Sequence, residues 1–510
     1  MLQFVAEQLV QSNSASRPPQ GAMMNSRAFS SHIPLAALLA ALVALFGCSS
    51  NPWSRVTAWQ GVQSNVDGKD TGRIAVDAAA PSQPNIVFIL IDDLGYTDIG
   101  AYGGNVDTPN IDRLAQEALR FSNAHVYPSC APTRAGLLTG KDPHWVGLGS
   151  QNGVAPPGVS EETFGYKGSL EGEFIGLAQV LANAGYQTYH SGKWHLGREK
   201  HQSPEALGFQ LSFSMVDGAA SHLSDRAGVS PSINPPDGKA TYSLHGDIVA
   251  DLHSNFYSTV DFTERLIDMI DSGQAESDDQ PFFGYLAYTA VHDPMHAPDD
   301  LILKYADRFT SGYQALKEDR IRGLVKKGLV ADASVVTRWL SDTPKWSELT
   351  EHQKRDMSAR MSVYSAMIDV IDQQIGVLID YLKATDEFEN SLIVVASDNG
   401  AATLPKTFYA SNADERSWQE TIYPRSNVAD YGRPGSFVSL GTYNAQAVSG
   451  PYFGFKSNLH EGGTRTPMIV KTPRSQRTGV VHNFIHITDF YPTFAELARA
   501  DTSDQKNLIG

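Results

Sequence analysis

Residues 85–93 read NIVFILIDD, six apolar residues in a row from Ile86 to Ile91 that stop at two carboxylates, Asp92 and Asp93. A strand with one face in water alternates apolar and polar side chains. An unbroken run of this length marks a strand covered on both faces, as in the interior of a parallel sheet. Such a sheet needs helices above and below it, and the rest of the chain supplies the pattern. TPNIDRLAQEALRF (108–121) reads as an amphipathic helix with Thr108 as cap and Pro109 in its first position. Residues 174–185 are helical, 187–197 begin as a strand, and 282–288 form another. A long helix spans Met357 to Leu382, and SLIVVASDNG (391–400) is a strand ending in Asp398 and Asn399. A strand at 466–472 and a helix around Thr488–Ala498 complete the alternation. The expected fold is α/β, with a large, mostly parallel central sheet and helices on both faces. Ligands of such sheets bind at the carboxyl ends of the strands. Two stretches, 217–247 and 401–455, are rich in Gly, Ser, Pro, Asn and Tyr and read as long functional rims or lids.

The 56 acidic against 40 basic residues give a formal charge of −16, without a Lys/Arg-rich block. That excludes a general nucleic-acid binder, which needs basic surface to displace counterions. The N-terminal region has its own logic. From Met24 the chain carries Arg27, runs apolar from Ile33 to Phe46 and reaches LFGC at Cys48. The run is short for a bilayer span and fits the apolar core of an export signal. It resembles a bacterial lipoprotein signal, in which the cysteine is lipidated; a non-lipidated signal or a single anchor helix are the alternatives. The expected organisation is an over-extended start at 1–23 and a signal at 24–48 ending at the lipidated Cys48. A flexible tether follows at 49–83, and a domain occupies 84–510. The protein is then exported to the periplasm or cell envelope. Ser49 after Cys48 resembles outer-membrane sorting, with the lipid as the only membrane contact. Cys130, the other of two cysteines, is left without an intrachain disulfide partner.

Four oxygen-bearing side chains, Asp92, Asp93, Asp398 and Asn399, each follow directly on an apolar strand. If both strands are central, these groups converge and suit a hard cation such as Ca2+ or Mg2+. Read singly, each pair is a turn cap. In GKWHLG, Lys193 and His195 are two apart and share a side of the chain if it is extended. One positive group beside one imidazole suits an oxyanion. VHDPMHAP (291–298) offers His292 and His296 after a strand, and FKSNLHEGGTRTP (455–467) places Lys456 before a Gly-rich turn. Cys130, in YPSCAPTRAGLLTG (127–140), is open to four readings: buried apolar residue, thiol nucleophile, metal ligand, or a residue converted after synthesis.

Taken together and in this order, the stretches resemble the type I sulfatases of the alkaline phosphatase-like superfamily. CAPTR matches their C-x-P-x-R signature. IDDLGYTDIGAYGG, GKWHLG, the VHDPMHAP histidine, SDNG and the lysine before HEGGTRTP follow as that family has them, over roughly residues 84–500. The wording is most similar to bacterial arylsulfatases. The resemblance implies that a formylglycine-generating enzyme converts Cys130 to Cα-formylglycine, whose hydrate attacks sulfur. It implies that Asp92, Asp93, Asp398, Asn399 and the modified Cys130 bind Ca2+. Arg134 would steady the hydrate, Lys193 and Lys456 would hold sulfate oxygens, and His195 would assist sulfate release. His292 would protonate the leaving alcohol, and His296 receives no role. Three carboxylates outweigh one divalent cation, and three cationic side chains then turn the set positive before an anionic ester arrives. Thr133 stands where serine is commoner, and the chain stops at Gly510, where relatives continue into a small antiparallel subdomain. A C-terminal truncation is therefore expected. Two rival readings stay open: a phosphate or phosphonate monoester hydrolase of the same superfamily, and a non-catalytic carbohydrate-binding surface lipoprotein; a thiol hydrolase lacks the expected local signatures and leaves the acidic cluster unexplained.

Overall fold

The computed structural model describes residues 83–509 apart from 152–155, 157, 161, 278–279, 332–337 and 504–507. The start, signal and tether assigned to 1–83, with Cys48, therefore lie outside the described residues, Gln83 excepted. The strands are β1 (Asn85–Ile91), β2 (Leu119–Phe121), β3 (Ala124–His125), β4 (Gln187–Lys193), β5 (Leu211–Met215) and β6 (Tyr242–Leu244). They continue with β7 (Asp247–Val249), β8 (Phe282–Ala287), β9 (Ser391–Ser397), β10 (Met468–Lys471), β11 (Gly479–Val481) and β12 (Ile485–His486). The longer helices are α1 (Pro109–Gln116), α2 (Cys130–Thr139), α3 (Leu177–Asn183), α4 (Ser258–Glu276) and α5 (Asp299–Tyr305). After them come α6 (Gly312–Lys326), α7 (Glu351–Ala384), α8 (Ala413–Ile422), α9 (Thr442–Val448) and α10 (Phe490–Leu497).

Ten strands form one sheet in the order β11-β2-β10-β9-β1-β8-β4-β5-β6-β7. Its middle, β9-β1-β8-β4-β5, is parallel throughout. Antiparallel pairs flank it, β10 with β9 and β2 on one side and β6 with β5 and β7 on the other. The apolar run of β1 is buried on both faces. Val87, Ile89 and Ile91 belong to one core, with Phe262 and Leu266 of α4 and Met367, Ile371 and Leu378 of α7. Ile86, Phe88 and Leu90 belong to the opposite core, with Leu137 of α2, Leu181 of α3 and Phe490 and Phe494 of α10. Period-2 side-chain alternation thus feeds two cores at once, and each fully buried large side chain contributes about 1.5–3 kcal/mol.

The sequence reading of 108–121 as one helix needs correction. The helix ends at Gln116 and Leu119–Phe121 is a strand paired with Met468–Val470. The sheet edge beside β10 offers those backbone groups ladder partners, and this outweighs the local helical pattern. Nor does Thr108 cap α1 as expected: its hydroxyl accepts from Gly100 N at 2.8 Å. Asp372 of α7 caps instead, accepting from Asn110 N at 3.0 Å and Ile111 N at 2.8 Å. The other elements fall within a few residues of their expected limits.

The two long stretches are more ordered than loops. Tyr242–Leu244 contributes a strand to one, and the other carries α8 and α9. They pack on each other through a small core of Ala219, Val229 and Tyr409 with Ile233, Leu404 and Phe437 around it. Tyr423 donates its hydroxyl to Gly228 O at 2.7 Å, and the Gln419 amide to Val229 O at 2.8 Å. The pair forms a braced rim. On the far side of the sheet, Phe494 is fully buried, with ring centroids 6.1 Å from Phe88 and 5.4 Å from Phe490. Phe494→Ala is expected to cost about 3–5 kcal/mol in denaturant unfolding. A loss below about 1 kcal/mol would show that α10 does not seal this face of the sheet.

Candidate active site

Four adjacent parallel strands, β9, β1, β8 and β4, release their chains side by side at one edge. Ile91 pairs with Ser397, so Asp92 and Asp398 leave the sheet as neighbours, as do Asp93 and Asn399. Asp93 N donates to Asp398 Oδ1 at 3.2 Å, and Asn399 Nδ2 to Asp93 Oδ1 at 2.6 Å. Lys193 is the last residue of β4, and its ammonium pairs with Asp92 Oδ2. His292 lies just beyond β8, with Nε2 3.6 Å from Asp93 Oδ2 and Nδ1 donating to Asp293 O at 2.6 Å.

Helix α2 delivers Cys130 and Arg134 into this edge. Ser129 is its N-cap and Pro132 falls in the first turn, where a missing N–H costs nothing. Cys130 and Arg134, four apart, share a face of the helix. All ten residues of α2 are buried, and Gly140 closes it at φ 63°. Arg134 donates to Asp398 Oδ2 from Nε at 3.1 Å and Nη2 at 2.8 Å, and to Lys193 O from Nη1 at 2.9 Å. Burial opposes the guanidinium charge, but Asp398, Tyr285 and Asp92 more than offset it and raise its pKa. Burial and Asp92 in turn raise Asp398, against the pull of Arg134.

Lys456 closes the ring from a separate loop and pairs with Asp93 Oδ1 at 2.6 Å. Its loop is tied down by Lys456 N to Ala401 O at 3.0 Å and Ser457 N to Pro128 O at 2.7 Å. Gly400 and Gly462 allow this closeness, since a Cβ on Gly400 would stand 1.9 Å from Gly462 O. His195 sets Nδ1 3.3 Å from Cys130 Sγ, while its Nε2 rests on Gly218. The expected extended geometry of Lys193 and His195 is not how they meet. The chain leaves the strand after Lys193 and turns at His195, φ 59°, with Trp194 buried and donating to Gln202 O at 2.7 Å. Asp93 (φ 62°) and Ser457 (φ 69°) share this left-handed backbone. Such strain, about 1–3 kcal/mol per residue, clusters where side chains must be aimed.

All ten expected residues therefore meet at one edge. His296 does not join them: its Nε2 donates to Ser436 O at 3.2 Å, a buried structural bond. Burial, against Lys193 and Lys456, raises the Cys130 thiol, so the sulfur stays protonated and is a poor nucleophile as it stands. Burial and the nearby lysines push His195 and His292 well below the usual histidine value, which keeps both neutral. Asp93 and burial push Asp293 up to about 7, burial contributing most.

The donor set fits a hard cation. Asp92 Oδ1, Asp93 Oδ2 and Asn399 Oδ1 are buried without a hydrogen-bond partner among the described residues. Two carboxylate oxygens and an amide oxygen left unpartnered in a dry interior are costly unless a cation compensates them. Ligand atoms of Asp92, Cys130 and Asp398 lie within 4.8 Å of one another, as do those of Asp92, Asp93 and His292. Sequence reasoning missed Gln151, whose Oε1 accepts from Ser129 Oγ at 2.9 Å and lies 3.5 Å from Cys130 Sγ. It also missed His222, which bonds His292 O at 2.9 Å. Neither sits in a motif, so no local signal exposed them.

Comparison with known proteins agrees with this geometry. Residues 84–500 match the sulfatase family. An arylsulfatase of Klebsiella aerogenes is 32% identical over 426 residues, 83% of this chain and 88% of its own. An uncharacterised sulfatase of Schizosaccharomyces pombe is 34% identical over 437 residues, 82% of this chain and 76% of its own. Among solved structures, that of Ps i-CgsB in complex with k-i-k-neocarrahexaose superposes with a TM-score of 0.56 at 24% identity, covering 84% of this chain and 75% of its own. The chain belongs to the sulfatase family, has the alkaline phosphatase-like fold, and is a sulfuric ester hydrolase.

Proposed function

We propose that this sulfatase works through a formylglycine made from Cys130 by a maturating enzyme, with Ca2+ held by Asp92, Asp93, Asp398, Asn399 and the converted residue. The observation that carries the reading is the meeting, around the Cys130 side chain, of three cationic groups and three buried oxygens without hydrogen-bond partners. An oxygen in place of Sγ would complete an all-oxygen ligand set suited to Ca2+ more than Mg2+. The net reaction breaks the S–O bond to the alcohol and forms one to an oxygen from water. It yields an alcohol or phenol, sulfate and a proton. Formylglycine hydrate would supply the attacking hydroxyl and a second hydroxyl for releasing sulfate, and Ca2+ would supply positive charge next to the oxygens involved.

The residues then divide the work. Lys193 and Lys456, which pair with Asp92 and Asp93, would neutralise the ester's oxygens. Arg134 holds Asp398 and the end of β4 in place. His195, kept neutral, presents Nδ1 as a proton acceptor where Cys130 points. His292 faces the leaving oxygen with Nε2, since Nδ1 is committed to Asp293 O. Donation there needs the imidazolium, which burial and the lysines oppose and a bound anionic ester favours. The kinship with an arylsulfatase makes aryl sulfates the natural assay. The N-terminal signal would export the protein and anchor it through Cys48, which a Cys48→Ser variant released from the membrane fraction would support.

Cys130→Ala is expected to abolish aryl sulfate turnover with the fold retained, and peptide mass spectrometry over 127–140 to find an aldehyde in active enzyme. An unmodified thiol in fully active material would sink the mechanism. Lys456→Ala is expected to lower kcat/KM about 10²–10³-fold, as loss of an oxyanion donor does, and no loss would remove it from the site. Chelation should abolish turnover and lower Tm, with Ca2+ at a hundred times its Kd restoring about 2.7 kcal/mol. Full activity after exhaustive chelation, or phosphonate turnover exceeding sulfate turnover, would contradict the proposal.

A further inference from the structure

Asp93 is the node of the site, touched by Lys456, Asn399 and His292, yet it sits in a backbone conformation that a side chain disfavours. Something must hold it there. The turn from Asp92 to Gly95 is secured largely by side chains. Asp92 N donates to Ala290 O at 3.1 Å and Asp92 O accepts from Val291 N at 2.8 Å. Asp93 N is taken by Asp398, and Leu94 N donates to Ser397 Oγ at 3.0 Å. Asp93 O lies 3.2 Å from the Tyr364 hydroxyl. That hydroxyl also lies 2.6 Å from Asp98 Oδ2 and accepts from Gly95 N at 3.3 Å. Gly95 N itself donates to Asp98 Oδ2 at 2.6 Å.

Behind this contact stands a fully buried ion pair. Asp98 Oδ1 bonds Arg320 Nη1, with both side chains at 0% exposure, and Arg320 Nε donates to Asn105 Oδ1 at 3.2 Å. Arg320 belongs to α6 and Tyr364 to the middle of α7, among Val363, Ala366 and Met367, all fully buried. Two helices packed in one core thus grip the turn from the side away from the reacting atoms. Neither Tyr364, Asp98 nor Arg320 makes a hydrogen bond to Cys130, Lys193 or Lys456 among the described residues.

We propose that Tyr364, backed by the buried Asp98–Arg320 pair, is a positioning residue that holds Asp93 in its ligating conformation. This rests on the calcium site proposed above. The Tyr364 hydroxyl shares its single proton between Asp98 Oδ2 and the Asp93 carbonyl, and it accepts from the Gly95 amide, so both ends of the turn are held beside one fixed carboxylate. Removing it frees the peptide to relax toward ordinary backbone angles and swings the Asp93 carboxylate away from its partners. The effect reaches the cation and Lys456 together, because both depend on that carboxylate.

Tyr364→Phe is the test, since it keeps the ring and both charges of the ion pair. The control is Tyr102→Phe, another fully buried tyrosine, whose hydroxyl donates to Met468 O at 2.6 Å, accepts from Met468 N at 3.0 Å and makes no hydrogen bond to Asp93 among the described residues. Calcium affinity is read by calorimetry on the matured chain stripped of metal, with Tm of the stripped protein alongside. Tyr364→Phe is expected to weaken Ca2+ binding about tenfold, the loss usual for a partner behind a metal ligand, and to lower kcat more than it raises KM. Tyr102→Phe is expected to lower Tm with Kd unchanged. An unchanged Kd in Tyr364→Phe, or an equal loss in both variants, would overturn the proposal. If Tyr364→Phe fails to fold, Asn105→Ala, which loosens Arg320, is read in its place, with a two- to threefold weakening of Ca2+ binding supporting the role and no change refuting it. A wild-type chain that binds no Ca2+ would bring down the calcium site itself, and this proposal with it.

Discussion

Three carboxylates and three cations, buried together, are the constraint on which this molecule is built. Asp92, Asp93 and Asp398 are at most 1% exposed, and Arg134, Lys193 and Lys456 at most 5%. None of these charges is tolerable there alone, because an unpaired ion in a dry interior costs several kcal/mol. Each is paired across elements far apart in sequence: β1 with the Lys456 loop, β1 with β4, and α2 with the turn after β9. The pairs therefore act as long-range fasteners as well as chemistry. Their geometry depends on the parallel register of β9, β1, β8 and β4, which sets the carboxyl ends of four strands beside one another.

The surroundings divide support from access. Beneath the site, two apolar cores clamp the sheet and leave its polar edge rigid. Above it, the segments at 217–247 and 401–455 lean on each other through their own small core, so the rim is a built wall. One segment reaches His195 through Gly218, whose missing side chain makes room for the ring. The other brings Tyr409, buried against Phe437 at a ring distance of 5.9 Å.

Burial favours the neutral forms at the site. It raises the Cys130 thiol and lowers His195 and His292, with the neighbouring lysines adding to the second effect. A protonated thiol among oxygen ligands is a poor nucleophile and a poor ligand. This is the physical ground for proposing that Cys130 is converted to an oxygen-bearing group.

Much of this was legible along the chain, for physical reasons. The run Ile86–Ile91 implied a doubly covered strand, because only burial on both faces tolerates six apolar side chains in succession. Acid and amide at two strand ends implied converging ligands, and the motif order singled out Cys130, Arg134, Lys193, His195, His292 and Lys456. Local pattern misjudged 108–121, where pairing with β10 turns Leu119–Phe121 into strand, and the path by which Lys193 and His195 meet. Other contacts were invisible: Gln151, His222, Arg320 and Tyr364 lie outside any motif, and Asp98, though inside IDDLGYTDIGAYGG, shows no sign there of its grip on Asp93, since the partners lie tens to hundreds of positions away. What the sequence by itself determined was the kind of sheet and the polar and charged groups that meet at one of its edges, since burial and periodicity are local properties. Only the tertiary structure decided which charge pairs with which and what holds Asp93 in place, because those interactions exist only once distant strands and helices are packed together.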